Sequence, residues 1–263
     1  MPDIKPLEKL EYSDDFMFNQ VMQNDKICIG VLERLLKIKI DHIERVELQK
    51  EIKPYYQSKG IKLDVYVKDS NRVFDIDMQC KNDDSLPRRL RYYQSMIDAN
   101  ALIKGKKYKE LNDSFIIFIC KHDPVGENLP VYTYLESCQE DKSLLLNDGT
   151  HKFFFNAAAA DNEKDVEIRA FLNYIKNGKA SDDFTNEIDS IVEAVKQNEA
   201  VKELYMMKSI LIQDAESEGE KKATIKAVHG LYKNNVSIEV IAKSLEITEE
   251  QVKKYLEQSL PPN

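Results

Sequence analysis

The residues best suited to chemistry lie between Gly60 and Lys81, in the segment GIKLDVYVKDSNRVFDIDMQCK. Lys62, Asp64, Tyr66 and Lys68 alternate with Leu63, Val65 and Val67. Further on, Asp75, Asp77, Gln79 and Lys81 alternate with Phe74, Ile76, Met78 and Cys80. Strand side chains point to opposite faces with period two, so each polar set shares a side. Asp69, Ser70 and Asn71 between them are turn formers. The pattern predicts an antiparallel hairpin with Asp64 and Asp77 close together on one face. Three carboxylates (Asp64, Asp75, Asp77) would then converge beside Gln79 and Lys81. Like charges at such range are costly unless a cation separates them or one acid takes up a proton. Carboxylate oxygens suit Mg²⁺, with waters and a substrate phosphate completing its shell. A metal held this way activates water and stabilises an in-line displacement at phosphorus. Gln79 or Lys81 would orient the attacking water or meet the developing negative charge. The alternation alone also suits a solvated sheet face, and it does not rank the polar residues.

The elements that must position this hairpin can be read on either side of it. Ser13 or Asp14 caps a first helix bearing Phe16, Phe18, Val21 and Met22, and a second runs from Ile27 to Leu36. A strand is expected near Val46 to Ile52, ended by Pro54. Pro87 suits the first turn of a helix that carries Leu90, Tyr93, Ile97, Ala101 and Ile103 and stops at Gly105. The run SFIIFIC, Ser114 to Cys120, reads as a strand buried on both faces. Val131 to Leu135 and Lys152 to Phe155 read as two more. A helix crossing between the hairpin and a buried strand makes a mixed α/β sheet. From Val166 onward the spacing is helical, with a break expected at Gly219 and short helices over 223–234, 237–245 and 248–256. The organisation expected is a core domain over 1–178, a helical connector over 179–222 and a small helix-turn-helix-like or dimerisation segment over 223–263.

Composition narrows the functional classes. The chain has 263 residues, 42% hydrophobic and 32% charged, enough for a sizeable core. Its net charge of −8 means that any nucleic-acid contact needs local basic patches or bound cations. Cys28, Cys80, Cys120 and Cys138 are widely spaced, which argues against a zinc site or a disulfide framework and fits a reducing cytoplasm. Neither a signal peptide nor a membrane span is expected. Arg88, Arg91 and Tyr92 share a helix face at i, i+3, i+4 spacing and suit phosphates near the acids. Lys104, Lys106, Lys107 and Lys109, with Tyr108 among them, form the densest basic patch, a candidate funnel for a nucleic-acid backbone. Thr248, Glu249 and Glu250 open the last helix, and acids there repel DNA, which favours protein contact or dimerisation.

An Asp on one strand followed by an acidic-x-Lys-like tripeptide on the next resembles the PD-(D/E)xK nuclease superfamily. More closely, the chain resembles the recombination-promoting nuclease (Rpn) family, also described as PD-(D/E)xK family transposases. The blocks SDDFMFNQVM, LDVYV…FDIDMQ and RLRYYQSMIDANALIKGKKYKEL carry the likeness, supported by EIRAFLNYI and DDFT in the tail. The resemblance implies a restriction-endonuclease-like mixed sheet flanked by helices, with an all-helical C-terminal region. It implies Asp64 and Asp77 as ligands of Mg²⁺ or Mn²⁺, Gln79 as the water-orienting residue, and Lys81 and Asp75 as neighbours. Asp77 stands where the family has Glu. The implied function is Mg²⁺-dependent DNA cleavage of low sequence specificity, linked to recombination or DNA mobility, with a homodimer as a plausible assembly and no other small-molecule cofactor. A nuclease-fold relic that binds without cutting, and an RNA nuclease, are the alternatives.

Overall fold

The computed structural model describes residues 4–53, 59–102 and 104–258, with the backbone alone at 45 and 46. Pro54 and Ile103 lie outside them. The chain divides into two units, one spanning Leu7–Asn198 and the other holding the helices from Glu199 onward. Six strands form one sheet: β1 (Arg45–Ile52), β2 (Ile61–Lys68), β3 (Arg72–Gln79), β4 (Asp113–Cys120), β5 (Val131–Tyr134) and β6 (Thr150–Asn156), in the order β1-β2-β3-β4-β6-β5. β1, β2 and β3 are antiparallel neighbours, β4 is parallel to both β3 and β6, and β5 pairs antiparallel with β6. The tight β2–β3 turn closes with Asp69 N–H donating to Arg72 O.

Helices α1 (Asp15–Val21) and α2 (Asp25–Leu36) precede the sheet, and α3 (Leu86–Ala101) makes the crossover from β3 to β4. Pro87 sits in the first turn of α3, where its missing N–H costs nothing. Leu86, Leu90, Tyr93, Met96 and Ile97 of α3 bury one sheet face with Tyr66, Ile116, Phe118 and Phe154. Residues of opposite parity, such as Val65, Val67, Phe74, Ile76, Ile117 and Ile119, are buried as well. The two central strands are thus covered on both faces, as the SFIIFIC run predicts. This mixed sheet with flanking helices is the restriction-endonuclease-like α/β fold.

Helices α4 (Val166–Asn177) and α5 (Asp183–Gln197) complete the first unit, and α5 packs on α1. Gly30 of α2 leaves room for the Phe184 ring, since a Cβ there would collide with a ring carbon. The core therefore extends past residue 178, where the sequence suggested a boundary, because α5 is stitched to the N-terminal helices. The second unit also departs from expectation. Helix α6 (Glu199–Lys233) runs unbroken through Gly219, so no boundary falls at 222. Glycine inside a helix costs roughly 1 kcal/mol, and the surrounding Glu and Lys residues are good helix formers that outweigh it. Helices α7 (Ile238–Ser244) and α8 (Glu249–Leu256) fold against the end of α6 around Val228, Ile241, Ala242 and Val252. Thr248 and Gln251 form a capping box at the start of α8. Among the described residues no helix is long and apolar enough to cross a membrane.

Candidate active site

Asp64 comes from β2, and Asp77 and Gln79 from β3. The β2–β3 ladder runs from Lys68–Val73 to Val65–Ile76 and stops there. One step further, each acid takes up the other strand's main chain. Asp64 N–H donates to Asp77 Oδ1 at 3.1 Å, and Met78 N–H donates to Asp64 Oδ2 at 3.2 Å. The strands part at this point, and each carboxylate is held by an N–H that the ladder no longer uses. On the other side of β2, the pairing with β1 skips Gln49 opposite Asp64, and Gln49 has φ of 48°. Leu63 and Tyr66 share one core cluster although they are an odd number of positions apart along β2. The strict two-residue alternation read from the sequence is thus broken around Asp64.

α3 lays Arg89 across the acids. Its Nη2 donates to Asp77 Oδ2 at 3.3 Å and to Tyr93 OH at 3.0 Å. Its Nη1 donates to Gln79 Oε1 at 3.0 Å and to Asp83 Oδ2 at 3.4 Å. With Oε1 turned to the guanidinium, Gln79 points its Nε2 at Asp77 Oδ2, 3.4 Å away. The guanidinium also lies over the rings of Tyr93 and Phe118, at 5.3 and 5.5 Å from their centroids. Stacking and a fork of donors lock its orientation in a way that a lysine does not allow.

The electrostatics follow from burial. Asp77 is 1% exposed, and burial, then the charge of Asp64, pushes its carboxyl up to about 8. Asp64 is raised to about 6 by burial and by the charge of Asp15, the first residue of α1. Asp75 is fully buried, and neither of its carboxylate oxygens has a hydrogen-bond partner. Burial first, then Asp77 and Asp64, hold its carboxyl well above the usual carboxylate range. Arg89 opposes the rise in all three. α1 is held near this end of the sheet by the segment before it: Cys80 Sγ–H donates to Ser13 O at 2.7 Å, and Lys121 Nζ reaches Glu11 Oε2 at 3.1 Å and Ser13 Oγ at 3.2 Å.

Hard oxygen donors crowded at the cost of mutual repulsion fit a divalent cation. Among the described residues no group of three or more His, Cys, Asp or Glu side chains is arranged to hold a metal. An ion such as Mg²⁺ takes one or two carboxylates, keeps several waters and needs no closed protein cage.

The other residues singled out in the sequence fall elsewhere. Lys81 lies beyond the last residue of β3, exposed, and lines a separate hollow of about 310 Å³ with His122, Asp123 and Asp84. Arg88 and Tyr92 line an open groove of about 520 Å³ with Lys59, Lys62, Arg89 and Tyr93, and Tyr92 OH donates to Lys59 O at 2.6 Å. Arg91 is exposed and outside that lining. Lys106 and Lys107 follow the far end of α3, and the twelve-residue climb from Arg89 to Ala101 alone is about 18 Å. The crossover helix carries them back toward the start of β4, away from the acids.

Against known proteins, the profile of the PD-(D/E)XK nuclease family transposases matches residues 12–224. The chain belongs to this family. No curated protein and no solved structure matches it. Membership gives the buried acids a nuclease-type setting, and the matched span takes in the sheet, α3 and most of α6, leaving α7 and α8 outside. The family's name spells an acid, any residue and lysine; here the tripeptide at the end of β3 is Asp77-Met78-Gln79. Arg89, which contacts Asp77 and Gln79, is the site neighbour that the sequence pattern did not single out. Its signal was the i, i+4 pair with Tyr93, on the side of α3 that also carries apolar residues.

Proposed function

We propose that this protein is a metal-dependent endonuclease that hydrolyses phosphodiester bonds in DNA with little sequence preference, in the service of recombination or DNA mobility. The observation that carries the reading is the reciprocal tie at the strand split, where Asp64 and Asp77 each accept the other strand's N–H within a fold of the PD-(D/E)XK family. Asp64 and Asp77 would hold Mg²⁺, or Mn²⁺ in its place. When bound, such an ion lowers the pKa of a coordinated water and neutralises charge developing at phosphorus. Gln79, with its amide N–H₂ turned to the acids, orients the attacking water by donating a hydrogen bond to it. The groove beside α3 receives the sugar-phosphate backbone, with Lys59, Lys62 and Arg88 as phosphate partners and Tyr92 as an apolar wall.

A second reading, a nuclease fold that binds nucleic acid without cutting it, is favoured by one feature. Asp77 is a methylene shorter than the glutamate that the family's name also allows, and it is already engaged by Arg89. The test is nicking of supercoiled plasmid by the purified protein with Mg²⁺ or EDTA, beside Asp64→Ala and Asp77→Ala. Cutting that needs the ion and both acids is expected. Equal cutting by the variants would misplace the site, and binding without cutting would favour the second reading. RNA in place of plasmid decides the sugar.

A further inference from the structure

Arg89 is the cation that the hydrogen bonds place among the buried acids, and it reaches them from a different element. It touches Asp77 and Gln79 at once and is fixed by further bonds to Tyr93 and Asp83. The residue two positions after Asp77 is a neutral amide, where the motif spelled in the PD-(D/E)XK name has a lysine. A primary amide can turn either end toward a reacting group. Its oxygen would accept a hydrogen bond and its nitrogen would donate one. Arg89 removes that choice by occupying Oε1, which leaves Gln79 as a donor only.

We infer that Arg89 and Gln79 together do the work of one lysine: Gln79 supplies the directed N–H donor, and Arg89 supplies the positive charge and the amide's orientation. This rests on the nuclease reading above and deepens it. Three features support the division of labour. The guanidinium is stacked on two rings and bonded to four side chains, so its charge stays in place whichever way the substrate lies. A charge-assisted donor on Oε1 draws electron density through the amide and strengthens the N–H on its other end. Donors already aimed where negative charge develops need no reorganisation during the reaction. Arg89 is therefore a positioning residue that acts through Gln79, and the pair replaces a flexible ammonium with two fixed groups.

The experiment is a four-member cycle in the full chain: wild type, Arg89→Gln, Gln79→Lys, and both together. Single-turnover plasmid cleavage is followed with Mg²⁺, DNA affinity is measured with Ca²⁺, and thermal melts are run in EDTA. Arg89→Gln should slow cleavage on the order of 10²-fold, as for loss of a preorganised charge-stabilising donor, while DNA affinity moves less than about threefold. Adding Gln79→Lys should recover about tenfold or more of that loss, because a lysine at position 79 restores both charge and donor. The melts should show a parallel pattern, with a lower midpoint for Arg89→Gln and partial recovery in the double variant. A merely structural arginine would give no recovery from a lysine at another position. The inference is overturned if Arg89→Gln cleaves at the wild-type rate, if its loss lies wholly in DNA affinity, or if Gln79→Lys recovers nothing. If the wild type itself fails to cut with Mg²⁺ or Mn²⁺, the nuclease reading falls. The melts then decide the pairing alone, recovery supporting it and its absence overturning it.

Discussion

Asp75 offers the sharpest stability test, since it is fully buried and both its oxygens lack hydrogen-bond partners. Around it lie Tyr66 across the ladder, Asp77 and Asp64 on the same side, and Arg89 as the opposing charge. Burial and the neighbouring acids hold its carboxyl well above the ordinary value of 3.8. Between that ordinary value and the folded one, the native protein keeps a proton that the unfolded chain has released. Native binding then exceeds unfolded binding, so stability must fall as pH rises through the window. Each pH unit in it costs about 1.4 kcal/mol for one such group. Asp75→Asn keeps the shape and removes the proton. Between pH 5.5 and 7.5 the variant should gain on the wild type by up to about 3 kcal/mol, and by roughly 1–3 kcal/mol if Asp77 takes over part of the uptake. For a unit of this size that corresponds to a relative rise in melting midpoint of roughly 2–12 °C. The assay is thermal unfolding by circular dichroism at both pH values, in EDTA. If Asp75→Asn shows the wild-type pH dependence, or is destabilised equally at both, the reasoning about Asp75 is refuted.

Other outcomes follow from particular contacts. The double change Lys62→Ala and Arg88→Ala should weaken binding to plasmid and to unrelated duplexes alike, reducing the slope of log K against log salt by about 2, as measured by fluorescence anisotropy. An unchanged slope would remove the groove from the substrate path. Phe118→Ala should cost about 3–5 kcal/mol in urea unfolding, because Phe118 is fully buried beneath α3 and supports both Tyr93 and Arg89. Gly178, which ends α4 with φ of 70°, should tolerate alanine only at a cost of roughly 1–2 kcal/mol in the same assay.

Much of this molecule can be read from local pattern. The hairpin, the turn at Asp69, the crossover helix opened by Pro87 and the doubly buried SFIIFIC strand all lie where spacing and turn chemistry put them. Asp64 and Asp77 were legible as partners because the hairpin between them is short, and their pairing across it is a local event. Legibility failed where a residue's role depends on a distant neighbour. Gly219 reads as a break, yet the good helix formers around it carry α6 through. Residue 178 reads as a boundary, yet Phe184 fills the space left by Gly30 from the other end of the unit. Lys106 and Lys107 read as part of a nucleic-acid funnel, and it is the crossover that sets their place, at the end of the sheet opposite the acids.

The sequence by itself determined that this chain would build an acidic hairpin within a mixed sheet, since side-chain periodicity and turn residues act over a few positions. Only the tertiary structure decided what surrounds the acids. The splitting of β2 from β3 leaves a pair of carboxylates each held by a main-chain N–H of the opposite strand. The packing of α3 on that face brings Arg89 to Asp77 and Gln79 while Arg91, two residues on, faces away. The physical reason is that the rotation of a helix on a sheet is set by its whole apolar stripe. Which of several neighbouring arginines becomes part of the site is therefore settled by Leu86, Leu90, Tyr93 and Ile97, and not by the arginines themselves.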